Sequence, residues 1–275
     1  MSMDYQNLIL NTKSVREYKK DTIDIQKLKI IKEYAENCIK IDDNIKIDVR
    51  ILSNTESYIS LYGIAGYKGN MIDAPHYIII LSEKKPYYIE NAGYIGQNMI
   101  LKATELGIAS CWITFSDSQV VKDCLNILSD KEVVALIALG YDANAPQKGT
   151  ITSFHTDCKI DLDEMVYIDK WGNGADASIL EQRGLLEAFA FSKFAPSALN
   201  GQPWRFLLTG GKAILAIKKD KNTNVYEQKI DTGIIMFVFQ AIVSSTLFDL
   251  QWKLEQPVDF IKIPKEFEIV GYCMV

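Results

Sequence analysis

Two stretches of this chain space their apolar residues like long helices. One runs from Ile89 to Ile113 (IENAGYIGQNMILKATELGIASCWI), the other from Lys229 to Trp252 (KIDTGIIMFVFQAIVSSTLFDLQW). The second holds the most apolar run, Gly233 to Val243. That run is too short to span a bilayer and predicts a buried core helix. Short runs rich in Ile, Val, Leu and Phe predict strands: IKIDVRIL, HYIIILS and VVALIALG early, WRFLLT, AILAIK and FEIVGYCMV late. Helices and strands intersperse without a strict βαβ alternation, which predicts the mixed α+β class.

The pattern repeats. Each half reads helix, strand, strand, long helix, strand. Gly93 aligns with Gly233 and Trp112 with Trp252 in one register. Ala35 aligns with Ala190 and Arg50 with Arg205, again at one offset, and Gly140-Tyr141 is echoed by Gly271-Tyr272. The expected organisation is a first half over residues 1–145, a crossover over 146–177 and a shorter second half over 178–275. The halves differ. TKSVREY stands before the first helix of the first half only. NTESYISLYGIAGYKGNMIDAP separates that half's first two strands, where the second half has only TGGK. APSALNGQPW follows the first helix of the second half only.

Composition narrows the function classes. The chain has 275 residues, 48% apolar and 24% charged, with a net charge of -5. That balance argues against a nucleic-acid footprint and against a polybasic membrane patch. The five cysteines (38, 111, 124, 158, 273) form no C-x-x-C pair, so reduced thiols are expected, with no zinc site and no disulfide framework. MSMDYQNLILN has no basic region followed by an apolar core, so a cytoplasmic protein without a signal peptide is expected. His76 and His155 have no visible Ser or Cys partner arrangement, which argues against a hydrolytic triad. No Walker A and no G-x-G-x-x-G follows a strand, so a Rossmann site has no support.

The unshared segments hold the candidate chemistry. Ser14-Val15-Arg16-Glu17 fits a capping box. It also fits an anion site, since helix N-terminal amides and the Arg16 fork both suit phosphate oxygens. Pro196 to Asn200 fits a plain helix stop followed by an Asn-Gly turn, but that reading leaves Ser197 and Gln-Pro-Trp unexplained. Gly63, Gly66 and Gly69 fit a flexible surface loop, in which Lys68 is either simply exposed or near a phosphate. Trp112, Trp204 and Trp252 read as core packing.

Taken together, A-P-S-x-x-N-x-Q-P-W-x-F between a helix and a strand resembles the signature of the FMN-dependent nitroreductase family. Lys13-Ser14-Val15-Arg16 with Tyr18 resembles that family's basic N-terminal element. ATELGIASCWI resembles its long-helix end, ALGYD its late strand and KIDLDEMV its tail. The chain departs at Thr12, where many relatives are basic, and at Gly107-Ile108-Ala109 in place of G-L-G. The resemblance implies a nitroreductase-like fold in which two tandem halves of one chain form an intramolecular pseudo-dimer around a long-helix core.

It further implies an oxidoreductase with FMN as cofactor, NAD(P)H as donor and a small nitroaromatic, quinone or related acceptor. No metal and no catalytic side chain are expected. The implied cofactor-binding residues are Lys13, Ser14, Arg16, Lys68, Thr114, Phe115, Lys159, Pro196, Ser197, Ala198 and Asn200. Because the two motif sets are split between the halves, one FMN per chain and a monomer acting as a pseudo-dimer are expected. A flavin-binding or flavin-free protein of the same fold without turnover is the alternative.

Overall fold

The structure, a computed structural model, describes residues 3–145, 159–255 and 261–275; His155, Cys158 and residues 146–158 of the expected crossover lie outside them. The helices are α1 (Tyr5–Asn11), α2 (Ile25–Asn37), α3 (Asn54–Leu61), α4 (Tyr88–Glu105), α5 (Ser118–Cys124), α6 (Leu162–Met165), α7 (Ala177–Gln182), α8 (Leu186–Ser192) and α9 (Val225–Thr246). The strands are β1 (Ile47–Ser53), β2 (His76–Ser82), β3 (Ala109–Ile113), β4 (Glu132–Gly140), β5 (Val166–Ile168), β6 (Trp204–Thr209), β7 (Lys212–Lys218) and β8 (Phe267–Met274). None of the described helices is long and apolar enough to cross a membrane.

The described residues fall into two compact units. The first holds Met3 and residues 11–145; the second holds residues 4–10 together with the described residues from 159 onward. In the first, the strand order is β1-β2-β4-β3 with every pairing antiparallel. The central strands β2 and β4 are buried on both faces, which is why HYIIILS and VVALIALG read as continuous apolar runs. Helix α4 packs on β2, β3 and β4, and α2 packs on α4 and β1. Asp24 caps α2 by accepting the Gln26 N–H at 2.7 Å.

The second unit has the order β5-β6-β7-β8, with β5 parallel to β6 and the other pairs antiparallel. Strand β5 lies within the stretch read as a crossover. An isolated bridge joins Lys253 to Tyr272 of β8. Helix α9 begins at a capping box, with Asn224 accepting the Glu227 N–H at 2.8 Å and Glu227 accepting the Asn224 N–H at 3.0 Å. Its aromatic core runs from Phe189 and Phe206 through Phe239 to Trp252, with centroid separations of 4.9 to 5.9 Å.

Both long helices are shorter than their sequence pattern predicts. Helix α4 stops at Glu105 because Gly107 takes φ 72, the left-handed conformation a glycine accepts at little cost. The Ile108 N–H then bonds the Ala103 carbonyl and the Gly107 N–H bonds that of Thr104, both at 2.9 Å, which closes a Schellman motif. ASCWI therefore becomes β3, and Trp112 sits on a strand. Helix α9 ends at Thr246; Trp252 lies beyond it and donates from Nε1 to the Met236 carbonyl at 3.0 Å.

Candidate functional site

In the first unit, Lys13 to Tyr18 lies outside any helix and carries isolated bridges at Ser14 and Tyr18. The capping-box reading of Ser14 is thereby corrected: no helix starts there, since Ser14 forms a parallel bridge with Ser110 and the Val15 N–H bonds the Ser110 carbonyl at 3.0 Å. The strand edge satisfies the backbone groups that a helix start would have left open. Val15 is buried while Ser14 and Arg16 on either side are exposed. Arg16 has no ion-pair partner among the described residues. Lys13 does have one, its Nζ resting 2.6 Å from Asp142 Oδ2.

Cys111 lies beside this pair. Burial pushes its thiol pKa up, and the Arg16 charge and a hydrogen bond from Ser14 pull it back down. Burial also raises the Tyr18 hydroxyl, and the nearby Cys111, Tyr77 and Asp142 raise it further while Arg16 opposes them.

The glycine loop fastens to the other end of β3. The Gly66 N–H donates to the Thr114 carbonyl at 2.8 Å and Ala65 bridges Phe115. Gly66 takes φ 93, and a Cβ there would come within 2.1 Å of the Asn70 carbonyl oxygen, so only glycine fits. The loop is thus a wound, hydrogen-bonded turn. Lys68 is exposed at φ 53 with its ammonium 5.3 Å from the centre of the Tyr67 ring. Phe115 is buried and Thr114 half-buried. One strand thus carries Ser14 to Arg16 near its start and the loop at its end, about 16 Å apart at strand spacing.

In the second unit, the turn after α8 is a single 3-10 turn, Ala198–Asn200. Of the Asn-Gly pair read as a turn, Asn200 takes the left-handed conformation with φ 54 and Gly201 does not, with φ -69; Leu199 and Gln202 are also left-handed, with φ 52 and 44. Such angles in non-glycine residues are costly and persist only where the surroundings hold them. The Ser197 hydroxyl accepts the Gln202 N–H at 3.0 Å, and the Ile160 N–H donates to Gln202 Oε1 at 3.0 Å. Lys159 reaches Asn200, Nζ to Oδ1 at 3.4 Å. Pro196, Ser197 and Ala198 are half-buried, and Asn200 is exposed.

One residue of this turn escaped the sequence reading. Asp231 of α9 accepts the Ala198 N–H with both carboxylate oxygens, each at 3.1 Å, and is 3% exposed. Burial raises its pKa well above the ordinary carboxylate value, the Ala198 N–H opposes that rise, and Glu227 adds to it. The available signal was an acid two residues before the apolar run Gly233 to Val243.

The family described as putative TM nitroreductase matches residues 5–242 of the chain. The chain belongs to that family. As a nitroreductase-family chain it is an enzyme of the oxidoreductase class, and the mixed α+β fold expected from its sequence is the fold observed. A putative nitroreductase from Thermotoga maritima MSB8 superposes with a TM-score of 0.59 at 18% identity, over 100% of this chain and 94% of that one. At that identity the likeness establishes the nitroreductase fold. A nitroreductase family protein from Clostridium difficile 630 aligns at 20% identity and a TM-score of 0.45, over 56% of this chain and 99% of that one. A nitroreductase with bound FMN from Bacteroides fragilis NCTC 9343 aligns at 23% identity and a TM-score of 0.44, over 56% of this chain and 97% of that one. No curated protein matches this nitroreductase-family chain.

Proposed function

We propose that this protein is an FMN-dependent oxidoreductase that uses NAD(P)H to reduce a nitroaromatic, quinone or related acceptor. The observation that carries this reading is β3. It fastens the Ser14–Arg16 segment near its start and the glycine loop at its end, so an exposed arginine and a buried aromatic residue lie along one strand. The donor set fits the phosphate of FMN. Arg16 is exposed with no carboxylate partner among the described residues, and it offers a planar fork of N–H donors beside the Ser14 hydroxyl. Lys13 fits less well, because Asp142 neutralises it.

When bound, FMN supplies the redox chemistry by accepting hydride at N5 and passing the electrons on. The chain's own residues bind and orient. Arg16 and Ser14 hold the phosphate end. In the second unit, the backbone of the clamped turn Pro196–Asn200 and the Asn200 side chain would meet polar atoms of a flavin. Phe115 and the Gly66 turn exclude water from one side. No residue needs to move a proton at a fixed atom, so the site needs no acid–base cluster.

The experiment is an absorbance spectrum of the protein reconstituted with FMN, followed by anaerobic addition of NADH or NADPH. Flavin bands that bleach on addition and recover with a quinone or nitroaromatic are expected. Flavin that binds but is never bleached by either nucleotide would overturn the enzymatic reading, and absence of any binding would overturn the flavin reading.

A further inference from the structure

Two residues before the aligned glycines Gly93 and Gly233, each long helix carries a buried polar side chain: Asn91 in α4, fully buried, and Asp231 in α9, 3% exposed. In the first unit Asn91 Oδ1 accepts the Ile41 N–H at 2.9 Å and the Asp42 N–H at 3.4 Å. In the second, Asp231 accepts the Ala198 N–H with both oxygens at 3.1 Å. Each bonded amide lies in an equivalent connection, between α2 and β1 in one unit and between α8 and β6 in the other. The aligned pairs Ala35/Ala190 and Arg50/Arg205 bracket both connections. The repeat therefore preserves a helix-to-turn bond while its side chain and the turn it grips have changed.

We propose that this helix position is a turn clamp in both halves, and that Asp231 is the positioning residue that holds the Pro196–Asn200 turn in the shape that receives the flavin. The bonded amide immediately precedes Leu199, where the run of left-handed residues begins. Ser197 Oγ closes the other end on the Gln202 N–H. Asn200 thus sits between two fixed points. The chemical difference between the halves fits their tasks. Both acceptor oxygens of Asp231 converge on one amide. Asn91 grips through one oxygen, and its buried Nδ2 has no hydrogen-bond partner among the described residues. Burying a polar group is costly unless it is bonded, so a buried carboxylate with a backbone partner marks a turn whose shape matters.

The consequence for flavin rests on the function proposed above, whereas the clamp itself does not. The test therefore has two arms on the full chain. Amide hydrogen exchange without added flavin compares wild type with Asp231→Ala, Asp231→Asn and Asn91→Ala. Asp231→Ala should speed exchange at Ala198 by about tenfold, the loss of one hydrogen bond, while Asp231→Asn keeps protection within about threefold. Asn91→Ala should open Ile41 and Asp42 and leave Ala198 unchanged. Unaltered exchange at Ala198 in Asp231→Ala would overturn the clamp.

The second arm titrates FMN and riboflavin. Asp231→Ala should weaken both alike, by about tenfold, with recovery in Asp231→Asn. If wild type binds no FMN, the flavin reading falls while the exchange arm still decides the clamp. If Asp231→Ala does not fold, Asp231→Asn decides alone: lost FMN binding with Ala198 still protected would overturn the positioning role, because the carboxylate would then act on the ligand and not through the turn.

Discussion

Arg16 and Lys13 stand three positions apart in one motif, and their surroundings give them different roles. Arg16 is exposed and unpaired among the described residues, whereas the Lys13 charge is spent on Asp142 at 2.6 Å. Arg16→Ala should weaken FMN by about 1.5–3 kcal/mol, the worth of a charge-assisted bond, and leave riboflavin nearly unchanged, because the lost group faces phosphate. Equal losses for the two ligands in a fluorescence titration would remove Arg16 from the phosphate site. Asp142→Asn should act the other way. It releases the Lys13 ammonium and should tighten FMN, but not riboflavin, by severalfold or less, since the Lys13 side chain is 60% exposed and solvent-screened ion pairs are worth about 0–1 kcal/mol. The gain should fade as salt is raised. The sequence shows both cations but gives no sign of the Asp142 pairing, because that acid lies far along the chain and is brought beside Lys13 where Tyr18 and Asp142 bridge.

At the scale of elements, loop and strand behave as joined pieces. Gly66→Ala places a Cβ 2.1 Å from the Asn70 carbonyl oxygen at φ 93. The strain should cost about 1–3 kcal/mol or force the loop open. The expected readout is faster exchange of the residue-66 amide, which now bonds the Thr114 carbonyl; an unchanged rate would show that the loop does not depend on that conformation. His76, the first residue of β2, accepts the Ile23 N–H on Nε2 at 3.3 Å, and burial lowers its pKa from the ordinary 6.5. Its folded value lies below its unfolded one, so the unfolded chain binds the extra proton first. The stability tied to neutral His76 is complete above about pH 6.5 and is lost as the pH falls from there toward the depressed value. His76→Gln should flatten that part of the pH dependence of the urea midpoint, and an unchanged slope would exclude His76 as its source. Both elements were visible in the sequence, the loop from its glycine spacing and the strand from its apolar run. Their fixation was not visible, because a hydrogen bond from Gly66 to Thr114 leaves no local pattern.

For the whole molecule the expectation is one FMN per chain. Only the first half has the basic element and the glycine loop, and only the second has the P-S-x-x-N turn. We propose that one chain, which carries both motif sets, needs no second copy to bind FMN, so a monomer suffices. Titration of apoprotein with FMN alongside light scattering at the same concentration should give one flavin per monomeric chain. Two flavins per chain would mean a second site, and binding that appears only on dimerisation would mean a site completed by another copy.

The sequence by itself determined the class and most elements. These follow from local periodicity and turn chemistry, both of which are written into neighbouring residues. Even the end of α4 was available to local reasoning, because Gly107 marks a helix stop. Tertiary structure alone decided the rest. Ser14 forms a bridge and starts no helix because Ser110, remote in sequence, offers a backbone edge that takes the Val15 N–H. The Asn-Gly pair marked a left-handed turn, met at Asn200, but that Leu199 and Gln202 are left-handed too was not visible, since Asp231 and Ser197 bond the backbone from both sides. Propensity speaks for one residue at a time, whereas a buried carboxylate gripping an amide from another element is a property of the packed chain.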